Sequence, residues 1–226
     1  MKWNLASNIV AYIGIDNFDN ILYLACILTR LGKKVLVIDH SESMWLQYSI
    51  PQPKGSNCRK EIITYRQVDF TMQSINQKMK EEYDDILIFC GFNKEEKDLA
   101  ECTRMVFVTD LFRFNYHRIP DITCNMKVNG NVEQELLIKD VATIKITPDI
   151  IIERIGLKID ENHVQVLYRD ENDYTNSLVC HYNGSFCMKR ISKQRKAYLM
   201  EEVKKLHPEI DNQHMKTAFR RAEKGD

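Results

Sequence analysis

Residues 9–39 carry the pattern of a strand, a helix and a second strand of one sheet. Residues 9–14 form a short apolar run, which is typical of a strand buried on both faces of a parallel sheet. Residues 20–31 place leucine and isoleucine at spacings of three and four, which predicts a helix that ends near Gly32. Residues 35–38 are a second β-rich run that closes on Asp39. Such a unit is a right-handed crossover between parallel strands, so it predicts an α/β fold.

The rest of the chain repeats this alternation more loosely. The predicted strands span residues 61–65, 85–90, 104–108, 122–128, 141–146 and 163–168, with an Asn-Gly-Asn turn signal at 129–131. The predicted helices span residues 70–82, 95–102, 111–118, 147–156, 192–206 and 210–223. We therefore expect one α/β domain over residues 1–226, with a mostly parallel central sheet, helices on both faces and residues 207–226 as a C-terminal helical extension.

The loop of the first unit lacks the residues that hold phosphate. Such a loop needs glycines whose backbone N–H groups converge on phosphate oxygens, a lysine for the terminal phosphates and a hydroxyl for Mg²⁺. Residues 14–20 read GIDNFDN, with one glycine, no lysine and no hydroxyl. The carboxylates of Asp16 and Asp19 would repel a polyphosphate.

Composition excludes several other classes of protein. Thirty-two basic residues balance thirty-two acidic ones, so no global field recruits nucleic acid. The seven cysteines include no CxxC pair and the six histidines no HExxH motif, which argues against zinc, disulfides and a bound metal. The N-terminus lacks the pattern of a signal peptide, and no apolar run approaches the ~18 residues of a membrane span. We expect a cytoplasmic protein.

Several segments resemble the ParA/MinD group of P-loop ATPases. Residues 24–28 (LACIL) and 31–39 (LGKKVLVID) are similar to the first helix and second strand of that group. Residues 82–88 (EYDDILI) resemble its YDYIIID strand, and residues 106–110 (VFVTD) resemble its VILVT strand. Residues 164–170 are similar to a late strand, and residues 192–206 fall where the last helix of the group does. The resemblance covers nearly the whole chain and implies the same fold.

The departures from the group fall where it performs its chemistry. Aligned without gaps from Leu24, the phosphate-binding lysine becomes Asn17 and the hydroxyl becomes Phe18. The second acidic position after the second strand becomes Ser41, and the acid that supports Mg²⁺ becomes Phe89. Phosphoryl transfer depends on these groups for positioning and charge neutralisation. The resemblance thus implies a pseudo-ATPase with no catalytic residue, no cofactor and a vestigial nucleotide pocket made of Gly14, Asp16, Asn17, Phe18, Asp39, Ser41 and Phe89.

The residues of this pocket allow more than one interpretation. Asp16, Asp19 and Asp39 fit ordinary roles as caps of turns or helices. They could instead supply oxygens to a cation or to a neutral nucleoside. We favour a pocket that Phe18 and Phe89 fill, since burying aromatic rings replaces ligand contacts.

A run of basic residues occupies positions 189–196, which contain no acid. It fits either the solvated face of a helix or a docking patch for a protein partner. Residues 210–223 place apolar and basic residues together, as in the membrane-targeting tail of MinD-like proteins. The apolar stripe is short, so packing against the domain is the better explanation, although contact with a membrane surface stays open. The partner-binding candidates are Lys189, Arg190, Lys193, Arg195 and Lys196.

The resemblance implies a role in placing or assembling something at a defined cellular position. Members that serve pilus assembly, such as the TadZ proteins, often have weakened P-loops. We therefore expect a non-hydrolysing interaction or localisation scaffold, with a protein partner in pilus or secretion machinery, homodimerisation and no specific nucleic acid. The alternative is a nucleotide-binding ATPase switch that uses a non-standard phosphate loop.

Overall fold

Eight strands form a single sheet in a computed structural model that describes residues 7–53, 55, 57–93, 97–124, 132–157 and 159–225. The order across the sheet is β3-β4-β2-β5-β1-β6-β7-β8. Neighbouring strands are parallel except for the antiparallel pair β3 and β4. The strands are β1 (Asn8–Gly14), β2 (Val35–Asp39), β3 (Ile63–Tyr65), β4 (Val68–Thr71), β5 (Asp85–Gly91), β6 (Arg104–Thr109), β7 (Glu133–Val141) and β8 (Val164–Tyr168).

Helices connect the strands and cover both faces of the sheet. Two short 3-10 helices span Lys97–Glu101 and Glu161–His163. The α-helices are α1 (Phe18–Arg30), α2 (Leu46–Ser49), α3 (Gln77–Glu82), α4 (Arg113–Tyr116), α5 (Arg118–Thr123), α6 (Pro148–Ile155), α7 (Glu171–Tyr182), α8 (Lys193–Leu206) and α9 (Asn212–Lys224).

The side chains of β1 alternate between the two faces of the sheet, which explains why the core has two layers. Val10 and Tyr12 point to the face that carries α1, α8 and α9, and Ile9 and Ala11 point to the face that carries α3 to α6. All four side chains are buried, as expected for a central strand with helices on both sides. The predicted fold class is confirmed, since this is a mostly parallel sheet between two helical layers.

Three predicted segments are wrong. Residues 68–71 form strand β4 between β2 and β3, so the predicted helix over residues 70–82 shrinks to α3. Residues 122–123 belong to helix α5 rather than to a strand, and residues 125–131, including the predicted turn, lie outside the described residues. The strand predicted over residues 141–146 is wrong in position, because the observed strand β7 lies earlier in the sequence and ends at Val141. The first half of β7 contains Glu133 and Glu135, and the buried carboxylate of Glu135 pairs with Arg104.

Helix α7 is absent from the prediction. Its outward face carries Tyr174, Leu178 and Tyr182, all exposed, so its apolar residues do not form the single inward stripe that indicates a helix. Its N-terminus does carry a signal. The side chain of Asp170 accepts hydrogen bonds from the backbone N–H groups of Asn172 (2.8 Å) and Asp173 (3.2 Å), as an N-cap does.

The outer edge of the sheet at β8 is occupied by a side chain of α8. The amide of Gln194 donates to the carbonyl oxygen of Val166 (2.9 Å), and its oxygen accepts the N–H of Tyr168 (3.0 Å). Both backbone groups belong to the edge strand. The same residue thereby ties the N-terminal turn of α8 to the sheet.

The last helix packs on the first. Met215, Ala218, Phe219 and Ala222 form the buried face of α9, which contacts α1. The preferred interpretation of the tail, packing against the domain, is therefore confirmed. No helix within the described ranges combines the length and the apolar character needed to cross a bilayer.

Candidate functional site

The loop after β1 begins at a glycine that the neighbouring strand requires. Gly14 has φ +129°, and a Cβ atom there would lie 2.0 Å from the carbonyl oxygen of Val108 in β6. That oxygen accepts the N–H of Ile15 at 3.0 Å. A backbone hydrogen bond therefore holds the first turn of the loop against the end of β6.

Side chains of the loop itself take hydrogen bonds at the start of α1. The carboxylate of Asp16 accepts the N–H of Phe18, the first residue of the helix, at 2.9 Å. Asn17 is 1% exposed, and its side-chain oxygen accepts a hydrogen bond from the amide of Asn20 at 2.7 Å. A helix N-terminus attracts anions through its free N–H groups and its dipole. Here the anion at that position is a carboxylate of the protein.

A lysine reaches this loop from β7, far away in the sequence. Lys139 Nζ donates to the carbonyl oxygen of Asp16 at 2.8 Å and lies 3.5 Å from Asp140 Oδ2. Burial raises the pKa of Asp16, and the charge of Lys139 opposes that rise. Sequence reasoning missed Lys139 because 123 positions separate it from Asp16. The pairing of β1 with β6 and of β6 with β7 brings the two together.

Helix α7 covers the start of α1 and neutralises Asp19, the acidic residue in the first turn of α1. Ser177 Oγ donates to the carboxylate of Asp19, and His181 Nε2 lies 3.5 Å from the other oxygen of that carboxylate. Burial raises the pKa of Asp19, but these contacts with His181 and Ser177 outweigh burial and lower it. The contact with the carboxylate of Asp19 raises the pKa of His181. Asn176 adds a hydrogen bond to the hydroxyl of Tyr23 in α1 at 2.9 Å.

Aromatic rings fill the space beside the loop. Phe18 and Phe89 are 0% and 2% exposed, and their ring centroids lie 6.1 Å apart. Phe18 also stacks on Trp45 at 6.2 Å, and Trp45 contacts His181 at 4.4 Å. These rings connect α1, β5, the residue that precedes α2, and α7. Phe89 is therefore part of the apolar core.

Asp39 uses both of its carboxylate oxygens within the chain. Oδ1 accepts the backbone N–H (2.9 Å) and the hydroxyl (2.6 Å) of Ser41, and Oδ2 accepts the N–H of Leu46 (2.8 Å). Burial raises the pKa of Asp39, and these hydrogen bonds oppose the rise. The geometry is that of a cap for the turn between β2 and α2.

The basic run does not form one exposed patch. Lys189, Arg190 and Lys193 are exposed, but Arg195 is only 7% exposed, with its Nε 3.5 Å from Asp173 Oδ2. Lys196 pairs with Glu223 of α9 at 2.5 Å. The inclusion of Arg195 among surface candidates is wrong, because the helix places it under the surface, where its charge has a partner inside the chain.

Within the described part of the chain, one cluster has the spacing of a metal site. It comprises Glu133, Glu135 and His163. Glu135 already accepts hydrogen bonds from Arg104 (3.3 Å) and Lys205 (2.7 Å). The carboxylate is thus neutralised by two cations of the protein, which disfavours a metal ion as its partner.

Comparison with known proteins identifies the fold. No protein-family model and no curated protein matches the chain. The cell division ATPase MinD of Pyrococcus furiosus is similar with a TM-score of 0.58 and 16% identity, over 88% of this chain and 99% of that chain. A ParA family ATPase from Chlorobium tepidum gives 0.53 and 14%, over 96% and 98%. A chain of the MinC:MinD cell division protein complex of Aquifex aeolicus gives 0.50 and 12%, over 79% and 86%.

These similarities extend over most of each chain. The sequence identities are too low to transfer the role of any single residue from those proteins to this one. They agree with the order of strands and the two helical layers described above. This protein has the α/β fold of the ParA and MinD ATPases.

Proposed function

We propose that this protein is a nucleotide-independent scaffold for interaction or localisation, a pseudo-ATPase whose phosphate position is taken by its own side chains. The observation that carries the proposal is the carboxylate of Asp16 on the N–H of Phe18 at the start of α1. A phosphate group would need that N–H and would meet two half-buried carboxylates, Asp16 and Asp19. The aromatic contact between Phe18 and Phe89 supports the same conclusion, because it occupies space beside the loop.

Thermal unfolding with nucleotide tests the proposal. A ligand present at about 100 times its dissociation constant adds about 2.7 kcal/mol of stability, which raises the melting temperature of a chain of this size by roughly 5–10 °C. We expect no shift with millimolar Mg-ATP or Mg-ADP. A shift of that size with either nucleotide would contradict the proposal.

A second candidate function is favoured by Lys139. Its Nζ lies at the loop, where it could act as the cation that the loop sequence lacks. The protein would then be a nucleotide-binding switch with a non-standard phosphate loop. In that case Mg-ATP stabilises the wild type, and Lys139→Met removes the stabilisation. A nucleotide shift that survives Lys139→Met would exclude this lysine as the phosphate contact.

The scaffold requires a partner, which we propose to be a protein of pilus or secretion machinery, bound by a homodimer. The exposed pair Lys189 and Arg190, between α7 and α8, suits an acidic protein partner. The MinD fold is also found in a protein complex, the MinC:MinD complex of A. aeolicus. Sedimentation equilibrium tests the dimer, and a monomer at micromolar concentration would contradict it.

Charge reversal tests the partner site. We expect Lys189→Glu with Arg190→Glu to abolish retention of the identified partner in a pull-down. The matched control is Lys216→Glu with Arg220→Glu on the exposed side of α9, which should leave retention unchanged. Equal retention by both double variants would exclude the 189–190 site.

A further inference from the structure

Helix α7 exposes a row of large side chains along its outer face. Tyr174, Leu178 and Tyr182 follow one another at spacings of four, so they lie one above the other on the same face of the helix. Their exposed fractions are 51%, 52% and 92%. We call these three residues the α7 stripe. Two neighbours enlarge it: Val179 is 53% exposed, and Tyr48, on the adjacent helix α2, is 67% exposed.

The α7 stripe lies in a segment without charged residues. Residues 174–188 contain no aspartate, glutamate, lysine or arginine, although 28% of the whole chain is charged. Charged residues of both signs flank the segment at positions 169–171 and 189–190. Centres of protein–protein interfaces are depleted in charged residues and enriched in tyrosine. A tyrosine also brings a hydroxyl group that stays hydrated or finds a polar partner at such an interface.

The order of residues in the α7 stripe is the same when read from either end. It is tyrosine, leucine, tyrosine, with equal spacings on both sides of Leu178. A second copy that packs antiparallel on this face therefore places Leu178 against its own counterpart and Tyr174 against Tyr182 of the partner subunit. This is the arrangement of a two-fold interface, in which both subunits contribute the same patch. Because the stripe is uncharged, no like charges meet at the centre of such a contact.

The exposed area of this face matches the needs of a dimer. On a scale of about 200 Å² for a whole tyrosine side chain, the stripe together with Val179 and Tyr48 exposes about 600 Å² in each copy. Two copies would then bury about 1,200 Å², which is the lower end of the range for specific and stable interfaces.

We propose that a second copy of this chain covers the α7 stripe, with the two helices antiparallel and the two-fold axis passing beside Leu178. The inference rests on the homodimer of the proposed function and names the surface through which it forms. It does not depend on the partner site at Lys189 and Arg190 or on whether nucleotide binds near Gly14.

Variants of opposite charge at the same position test the contact by sedimentation equilibrium of the full chain. We expect the wild type to be a dimer at micromolar concentration. Leu178→Lys and Leu178→Asp should each weaken the dimer about 30-fold or more, as for loss of a central interface contact, because two like charges then meet at the axis. An equimolar mixture of the two variants should dimerise again, since opposite charges now face each other. Far-UV circular dichroism verifies that both variants fold.

The matched control is Phe112→Lys, which places the same charge at another large exposed side chain, outside α7. It should dimerise like the wild type, and equal dissociation in this control would overturn the inference. A dimer that persists in both variants at position 178 would overturn the inference alone and assign the homodimer to another surface. The inference would also fail if both variants were monomers and their mixture stayed monomeric. A monomeric wild type would contradict the homodimer itself together with this contact.

Discussion

At the end of β1, the backbone of β6 leaves no room for a side chain on Gly14. The close approach to Val108 and the positive φ both require glycine. We expect Gly14→Ala to destabilise the protein by about 3 kcal/mol or more, because the strain of the backbone adds to the steric overlap. The measurement is the free energy of unfolding in urea.

Gly32 provides the control for this substitution. It also has a positive φ, +82°, but an added Cβ atom would meet nothing within 4 Å. Gly32→Ala should therefore cost only the conformational strain, about 1 kcal/mol. Equal losses in the two variants would show that the contact with Val108 has no part in the effect.

His181 makes the attachment of α7 dependent on pH. Its pKa is raised above 6.5 by Asp19, so its stabilisation is complete below pH 6.5 and is lost as the pH rises through the folded-state value. Asp19 has its pKa lowered from 3.8, so its stabilisation is present above that pH and is lost as the pH falls. Asp16 also faces His181, and Lys139 faces both acids.

We therefore expect the difference in unfolding free energy between wild type and His181→Asn to be largest between about pH 4 and pH 6.5. It should reach on the order of 1 kcal/mol, as for an ion pair that solvent partly screens, and decrease at higher pH. The control is His117→Asn, at an exposed position at the end of α4. A difference that grows above pH 7 would contradict the assigned ion pair.

At the scale of the element, α8 is held to the sheet by a buried group of charges. Arg104 donates to Glu202 at 2.6 Å and to Glu135 at 3.3 Å, and Lys205 donates to both carboxylates. Two cations and two anions therefore neutralise one another between β6, β7 and α8. Removing one member leaves a buried charge without its partner, which costs more than the pair itself contributes.

We expect Glu202→Ala to lower the free energy of unfolding by about 3–5 kcal/mol. The neighbouring Glu201 is exposed, and Glu201→Ala should stay within about 0.5 kcal/mol of the wild type. Denaturant unfolding of both variants measures the difference. A small effect at Glu202 would mean that water reaches Arg104 when the carboxylate is absent.

The elements that the sequence predicted well are those that are buried on nearly every side, since apolar residues then fill the whole segment. β1, β2 and α1 are examples, because almost all of their residues are buried. β7 was misplaced since Glu133 and Glu135 conceal the strand, and α7 was missed since its apolar residues also face outward. The loop residues of the candidate site were identified from sequence, whereas Lys139 and His181 depend on contacts between distant elements.

At the scale of the whole molecule, α9 completes the layer that α1 begins. Phe219 is 6% exposed in the buried face of α9 and belongs to the same core cluster as α1. If residues 207–226 unfold together with the domain, Phe219→Ala should lower the temperature of the protein's single thermal transition. The free energy of unfolding should fall by about 3 kcal/mol. Arg220→Ala, at an exposed position of the same helix, should have neither effect. An unchanged main transition with a separate, earlier unfolding step would show that this extension folds by itself.

The amide of Gln194 on the edge strand affects how copies of this protein can assemble. Unpaired backbone groups at the edge of a sheet allow another chain to add a strand. Here the side chain of Gln194 already forms hydrogen bonds with the N–H of Tyr168 and the carbonyl of Val166. Growth of a continuous sheet from one molecule to the next is thereby hindered at β8. Oligomers and complexes that form on this side must be joined through side-chain surfaces, so they can separate again without unzipping a backbone ladder.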